Sequence, residues 1–176
     1  MKETEVLIQK YYLGTSKYWK GATLFWQIDK EGKIRTGKVI QYDINSGKRN
    51  RKNTPPVNWI HAIGSFKNKN HKASQCLFGE HLLKTEPYKN IAIVESEKTA
   101  LIASFYIPEN NWLATGSISN LKKELFEPLK GKYVTLYPDA GAYEIWKKKA
   151  EQLKDIAKIS ISNLIETRAT KEQIEK

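Results

Sequence analysis

An acidic residue ends a short apolar run in the middle of the chain. Residues 91–94 are Ile-Ala-Ile-Val, Glu95 follows them, and Ser96 opens a segment whose apolar positions recur at helical spacing. A four-residue run of this kind is typical of a buried parallel strand, and Ser is a good N-cap for the helix that follows. Because ligands bind outside the carboxyl ends of parallel strands, Glu95 is the first candidate for a chemical role.

A second carboxylate follows a later apolar segment. Residues 133–137 are Tyr-Val-Thr-Leu-Tyr, and Pro-Asp-Ala-Gly follows at 138–141. Carboxylate oxygens are the ligands that hard divalent cations prefer, and acids from adjacent strand ends can converge on one ion. The Pro-Asp-x-Gly segment is also a good turn and helix N-cap, so a structural role stays open for Asp139.

Cysteine and histidine content limits the other kinds of site. The single Cys76 can form neither an internal disulfide nor a zinc cluster, and the three histidines lack zinc-site spacing, so any metal is expected to be held by oxygen. No apolar run approaches the roughly 20 residues that span a bilayer, and the first residues do not resemble a signal peptide. We therefore expect a cytoplasmic protein without a membrane partner.

The net charge of +11, from 30 Lys and Arg against 19 Asp and Glu, indicates attraction to polyanions. Phosphate contacts from basic loops give affinity without sequence preference, whereas a lysine-rich surface that serves solubility is the alternative interpretation. The basic residues form two clusters. The first is Lys48, Arg49, Arg51 and Lys52, and the second is Lys67, Lys69, His71 and Lys72.

The first half of the chain reads as a small antiparallel subdomain. A short helix is predicted over 3–13, and two aromatic and β-branched segments, 22–28 and 34–42, flank an Asp-Lys-Glu-Gly turn typical of a β-hairpin. Trp59, Ile60 and Ile63 are expected to pack on that hairpin. We therefore predict a β-rich, basic N-terminal subdomain over residues 1–86.

After Pro87 the pattern changes to alternating strands and helices. Three successive β-α units imply right-handed crossovers and a mainly parallel four-stranded sheet flanked by helices on both faces. This gives an α/β fold class, with a sheet domain over 87–166 and a polar tail over 167–176. Strands are predicted at 91–94, 112–115, 133–137 and 158–162, and helices at 96–106, 119–129 and 142–154.

Three of these segments resemble the Toprim domain of bacterial-type primases, topoisomerases and related nucleases. They are VESEKTAL, LATG and LYPD, each at a strand end, and the resemblance covers residues 88–163. The segments FWQID, GKVIQYD, SGKR, QCLFGEHLL and PDxGAxxxW are further similar to primase-like, DUF6371-like Toprim proteins of Bacteroidetes mobile elements. The resemblance implies a Toprim-like fold and a role in DNA replication or related DNA metabolism.

The resemblance also implies roles for the two acids. Glu95 takes the place of the family glutamate, a general acid or base, and Asp139 that of the first metal-holding aspartate, with Mg²⁺ as cofactor. Gly141 stands where the family has a second aspartate, which weakens the expected attraction for Mg²⁺. Glu97 and Glu144 could compensate, but carboxylates in a first helical turn are favoured by the helix dipole in any case.

Further residues are candidates for phosphate or nucleic-acid contact, with single-stranded DNA as the implied partner and a replicative helicase as a second one. They are Lys98, Gly116, Ser117 and Asn120 near the strand ends, and Lys48, Arg49, Arg51 and Lys52 in the basic turn. The leading hypothesis is a primase-like protein that performs Mg²⁺-dependent nucleotidyl transfer. The alternatives are a non-catalytic nucleic-acid-binding module with a degenerate site and a metal-dependent nuclease of the same fold.

Overall fold

The chain divides into two compact units, residues 1–76 and 77–176. The computed structural model describes residues 3–63 and 74–174. The second basic cluster, at 67–72, lies outside the described residues. The boundary between the units precedes the one expected at 86/87, because Leu77 and Leu83 already belong to the core of the second unit.

The first unit is built on an antiparallel sheet, as the sequence predicts. Its four strands pair in the order β1-β2-β3-β4, with β2 and β3 forming the predicted hairpin. The helix ends at Lys10 and the third strand at Ile40, so both are shorter than predicted. The elements are α1 (Glu3–Lys10), β1 (Gly14–Ser16), β2 (Ala22–Ile28), β3 (Ile34–Ile40) and β4 (Val57–Trp59).

One face of this sheet packs around Leu24 and Val39, with Trp26 and Ile60 against them. Gly37 lies between these side chains, and a Cβ atom there would come within 2.8 Å of Leu24 Cδ1 and 2.9 Å of Trp26 Cε3. Only glycine lets the tryptophan ring lie directly on the neighbouring strand. The aromatic residues of the hairpin thus serve the core of the first unit.

The second unit contains a wholly parallel sheet with strand order β6-β5-β7-β8. This confirms the expected four-stranded sheet flanked by helices. Its elements are α2 (Leu82–Thr85), β5 (Asn90–Val94), α3 (Glu97–Tyr106), β6 (Asn110–Ala114), α4 (Lys123–Phe126), β7 (Tyr133–Leu136), α5 (Tyr143–Glu151), β8 (Lys158–Ile161), α6 (Leu164–Arg168) and α7 (Lys171–Ile174).

The two faces of the parallel sheet are covered differently. One face carries the apolar core, in which Ile93 and Leu136 of the strands pack with Phe126 and Trp146 of α4 and α5. On the opposite face α3 packs against β5 and β6. Right-handed crossovers require this division, because the chain moves one way across the sheet from β5 to β6 and the other way from β6 to β7 to β8.

Some predicted helices are interrupted. The helix expected over 119–129 is a 3₁₀ turn at Ile118–Asn120, then α4, then a second 3₁₀ turn at Glu127–Leu129 that contains Pro128, which has no amide proton for a longer helix. The expected polar tail carries α7. Among the described residues no helix has the length and apolarity needed to cross a membrane.

Candidate functional site

The two candidate acids follow neighbouring strands of the parallel sheet. Strand β5 pairs with β7, with Ile93 opposite Leu136, so Glu95 and Asp139 come after adjacent strands at the same edge. Backbone hydrogen bonds join the segments there: Tyr137 N–H donates to Ile93 O at 2.8 Å and Gly116 N–H donates to Glu95 O at 2.7 Å. We call this carboxyl edge the rim.

Glu95 is partly buried at the start of the loop that leads into α3. The capping of that helix is done by its neighbour Ser96, whose hydroxyl accepts the Thr99 N–H at 3.0 Å and also contacts the Thr99 hydroxyl at 2.7 Å. The sequence correctly predicts this N-cap. Because Ser96 fills the capping position, capping does not explain an acid at position 95.

Asp139 is exposed to solvent as a residue. The protein around its carboxylate nevertheless removes part of the hydration of that group, and this desolvation raises the pKa of Asp139 above its ordinary value. It does not cap α5 with its side chain, since the N-cap is Ala142 without a side-chain cap. Its contact with the helix start is through the backbone, where its carbonyl accepts the Ala142 N–H at 3.0 Å. Desolvation therefore accounts for the raised pKa, and side-chain capping of α5 does not account for an acid at this position.

Gly141 adopts a left-handed backbone with φ of +78°. A residue with a Cβ is strained there, so the position where the resemblance implies a second aspartate has a conformation suited to glycine. Its N–H donates to Glu166 Oε2 at 2.8 Å. The structure thus brings to the rim a third acid that the sequence analysis missed; the signal for it was an acid shortly after the fourth predicted strand.

The remaining rim candidates are mostly engaged in holding the loops together. Lys98 lies in the first turn of α3 and is partly buried. Gly116 has a φ of +72° and donates its N–H to Glu95 O. Ser117 caps a short 3₁₀ turn by accepting the Ser119 N–H, and Asn120 Nδ2 donates to Thr115 O at 2.8 Å.

The donor chemistry of the rim fits Mg²⁺ only in part. Within 3–63 and 74–174 no group of three or more His, Cys, Asp or Glu side chains is arranged to hold a metal ion. Mg²⁺ is commonly held by one or two carboxylates, with water and substrate phosphates completing its shell. Glu95 and Asp139 match that donor set, and an ion bound there would supply charge neutralisation for phosphate groups.

The four basic residues of the first cluster are all exposed in the connection between β3 and β4. A polar brace fixes this turn: Gln41 Oε1 accepts Asn50 Nδ2 at 2.8 Å and Asn53 Nδ2 at 3.0 Å, while Gln41 Nε2 donates to Lys20 O at 2.7 Å. These hydrogen bonds connect the two sides of the turn that carries the four basic side chains. These residues are Lys48, Arg49, Arg51 and Lys52.

The first unit also contains a polar cluster that the sequence analysis missed. Lys38 is only 5% exposed, and its ammonium lies 5.5 Å from the centre of the Trp59 ring. On the same strand Thr36 Oγ1 lies 2.7 Å from His61 Nδ1. The signal was present in the sequence, since Thr36 and Lys38 are alternate, polar positions of a strand that is otherwise rich in apolar residues.

A family model described as a domain of unknown function, DUF6371, matches residues 1–140. No curated protein matches the chain. The primase fragment of the bacteriophage T7 primase-helicase protein aligns with 20% identity and a TM-score of 0.53, over 89% of this chain and 59% of that one. The E. coli primase catalytic core aligns with 13% identity and a TM-score of 0.48, over 99% and 59%. The chain spans less than two thirds of these structures, and the T7 likeness supports the predicted fold class.

Proposed function

The chain belongs to the DUF6371 family, a domain of unknown function, and from that premise we propose that it is a primase-like protein of DNA metabolism that binds single-stranded DNA and performs nucleotidyl transfer. The observation that carries this proposal is the pairing of β5 with β7, which sets Glu95 and Asp139 at one rim. The fold shared with the T7 primase fragment is compatible with it.

In the proposed reaction Glu95 accepts the proton of an attacking hydroxyl. The hydroxyl oxygen then forms the new bond to the α-phosphorus of a nucleoside triphosphate, and pyrophosphate leaves. A carboxylate that directly follows a strand end is suited to this role, because a general base must lie within hydrogen-bond reach of the proton it accepts and a rigid strand fixes its position. Asp139 would hold Mg²⁺, and its raised pKa marks a carboxylate whose charge a cation would stabilise.

The basic turn is proposed as the contact for the template backbone. Exposed Lys and Arg side chains on a braced turn can follow phosphates without reading bases. Such binding should weaken steeply with salt, because each neutralised phosphate releases a counterion. A replicative helicase remains a candidate partner, to be tested by co-purification.

A specific observation favours a second candidate, a non-catalytic binding module. Gly141 supplies no carboxylate, and Glu166 accepts the Gly141 N–H. If that hydrogen bond is the whole role of Glu166, no acid takes the place of the missing second aspartate, and a rim whose two acids bind Mg²⁺ too weakly for catalysis would retain only nucleic-acid binding. A metal-dependent nuclease of the same fold would need Glu166 to take the role of the second aspartate, which Gly141 replaces.

The deciding experiment is template-dependent primer synthesis with Mg²⁺ or Mn²⁺, run beside DNA binding at two salt concentrations. We expect labelled products from the wild-type chain and none from Glu95→Gln, with unchanged thermal stability. Glu109→Gln is the matched control, since Glu109 is an exposed acid immediately before β6, at the opposite strand ends from the rim. Salt-sensitive DNA binding without any primer product supports the non-catalytic binding module. DNA binding whose affinity does not change with salt shows that the basic turn is not the contact surface.

A further inference from the structure

The parallel sheet has a concave surface that its own helices leave open. Helix α3 packs on β5 and β6, on the face opposite α4 and α5, whereas residues of β7 and β8 on the α3 side line a concavity. Parallel sheets are normally covered on both faces. The concavity measures about 660 Å³, a volume within the range of small-molecule and nucleotide sites.

The side chains of this open face are polar and aromatic where a buried sheet face would be aliphatic. Tyr133 and Thr135 alternate along β7, Tyr137 follows that strand, and Lys158 and Ser160 alternate along β8. The hydroxyls of Thr135 and Ser160 lie 3.0 Å apart. At the other side of the concavity Asn90 and Asn110 begin β5 and β6 and supply amide groups.

Tyr133 is the most prominent group of the concavity. It is 73% exposed, although it belongs to an internal strand of the sheet. Lys158 holds it: its ammonium lies 4.3 Å from the ring centre and donates to the Tyr133 hydroxyl at 3.0 Å. The ring is therefore a fixed platform with a cation beside it, the pair of groups that stacks a base and meets its phosphate.

The charge of the concavity is of one sign. Its lining contains two lysines, Lys154 and Lys158, and among the described residues that line it none is acidic. The nearest acid in sequence, Asp155, pairs with Lys123 instead, whereas Glu151 pairs with Lys154 at 2.7 Å and lowers the net attraction at that end. Lys158 faces the tyrosine, which carries no charge, so its positive charge is not cancelled by that contact.

We propose that this open sheet face, centred on Tyr133 and Lys158, binds a segment of single-stranded nucleic acid with one base stacked on Tyr133. The inference rests on the proposed function and adds to it a contact surface separate from the rim and from the basic turn. In this proposal β7 and β8 position the nucleic acid: Tyr133 stacks on one base, and Lys158 contacts one phosphate.

The test measures the affinity of a labelled twelve-residue oligo(dT) by fluorescence anisotropy at low salt. Tyr133→Val keeps a strand-forming residue but removes the ring, and we expect about tenfold weaker binding. Tyr133→Phe keeps the ring and should bind within about twofold of wild type. Lys158→Met should weaken binding by several-fold and flatten its salt dependence, whereas Lys147→Met, an equal charge loss beside Tyr143 on α5, should not.

A second measurement locates the contact directly. Photo-crosslinking with 5-iodouracil in the oligonucleotide should attach at Tyr133, as read by peptide mass spectrometry. If wild type and Tyr133→Val bind the oligonucleotide with the same affinity, this inference is overturned but the proposed function is not. A wild-type chain that binds no oligonucleotide overturns both, and self-association that Tyr133→Val abolishes would show that a second copy occupies the face.

Discussion

Replacing Asp139 by Asn should stabilise the protein at neutral pH. Desolvation raises the pKa of Asp139 above its ordinary 3.8, so the folded chain holds this proton more tightly than the unfolded chain does. The stability contributed by the neutral acid is present below the unfolded pKa and is lost as the pH rises through the folded pKa. At pH 7 the ionised carboxylate therefore lowers the free energy of unfolding, and a neutral amide removes that cost.

The size of this gain follows from the environment of the side chain. Asp139 is exposed, so solvent screening limits the effect, and we expect a gain between a few tenths and about 1 kcal/mol. No capping loss offsets it, because the N-cap of α5 is Ala142. For a unit of this size, this gain corresponds to a rise in Tm of roughly 1–8 °C.

Thermal unfolding followed by circular dichroism at pH 7, 5.5 and 4 measures this effect. The gain of Asp139→Asn should shrink as the pH approaches 4, where the wild-type acid takes up its proton. Asp155→Asn is the control of opposite sign: a hydrogen bond from Lys123 lowers the pKa of Asp155, so its stabilisation is present at pH 7 and lost as the pH falls through that lowered pKa. A loss of about 0.5–2 kcal/mol for Asp139→Asn at pH 7 would refute the reasoning, because that is the cost of removing a capping side chain.

Three further predictions concern the first unit. Gly37→Ala should lower the free energy of unfolding by about 1–3 kcal/mol in urea titrations, and more than Gly14→Ala, whose nearest contact is 3.3 Å; equal effects would contradict the packing argument. Arg49→Ala should reduce the slope of log affinity against log salt by about 0.7 for single-stranded DNA, while exposed Lys33→Ala leaves it unchanged; equal slopes for the two variants would remove Arg49 from the contact surface. Gln41→Ala should cost about 1–2 kcal/mol in stability and weaken DNA binding, because three hydrogen bonds brace the basic turn; a binding loss without a stability loss would indicate direct contact instead.

Local sequence patterns were sufficient to predict the four strands of the parallel sheet and the helices α3 and α5, but not α6 and α7. The apolar run before Glu95 is β5, Ser96 is the N-cap of α3, and the alternation of strands with helices gives a parallel sheet. These features depend on side-chain periodicity and on hydrogen bonds between near neighbours, so they can be read from consecutive residues. The broken helix after β6 was missed because short 3₁₀ and α turns share the same apolar spacing.

The sequence by itself determined where strands β2, β3 and β5 to β8 lie, which residue caps α3, and that two acids follow strand ends, whereas the short strands β1 and β4 were not predicted. Only the tertiary structure decided that β5 lies next to β7, that Glu166 meets the Gly141 N–H, and that the face around Tyr133 stays open. The reason is physical: strand order and coverage of a sheet depend on contacts between residues far apart in the chain. Periodicity specifies which side of an element is apolar, but the partner that covers that side is set by the whole fold.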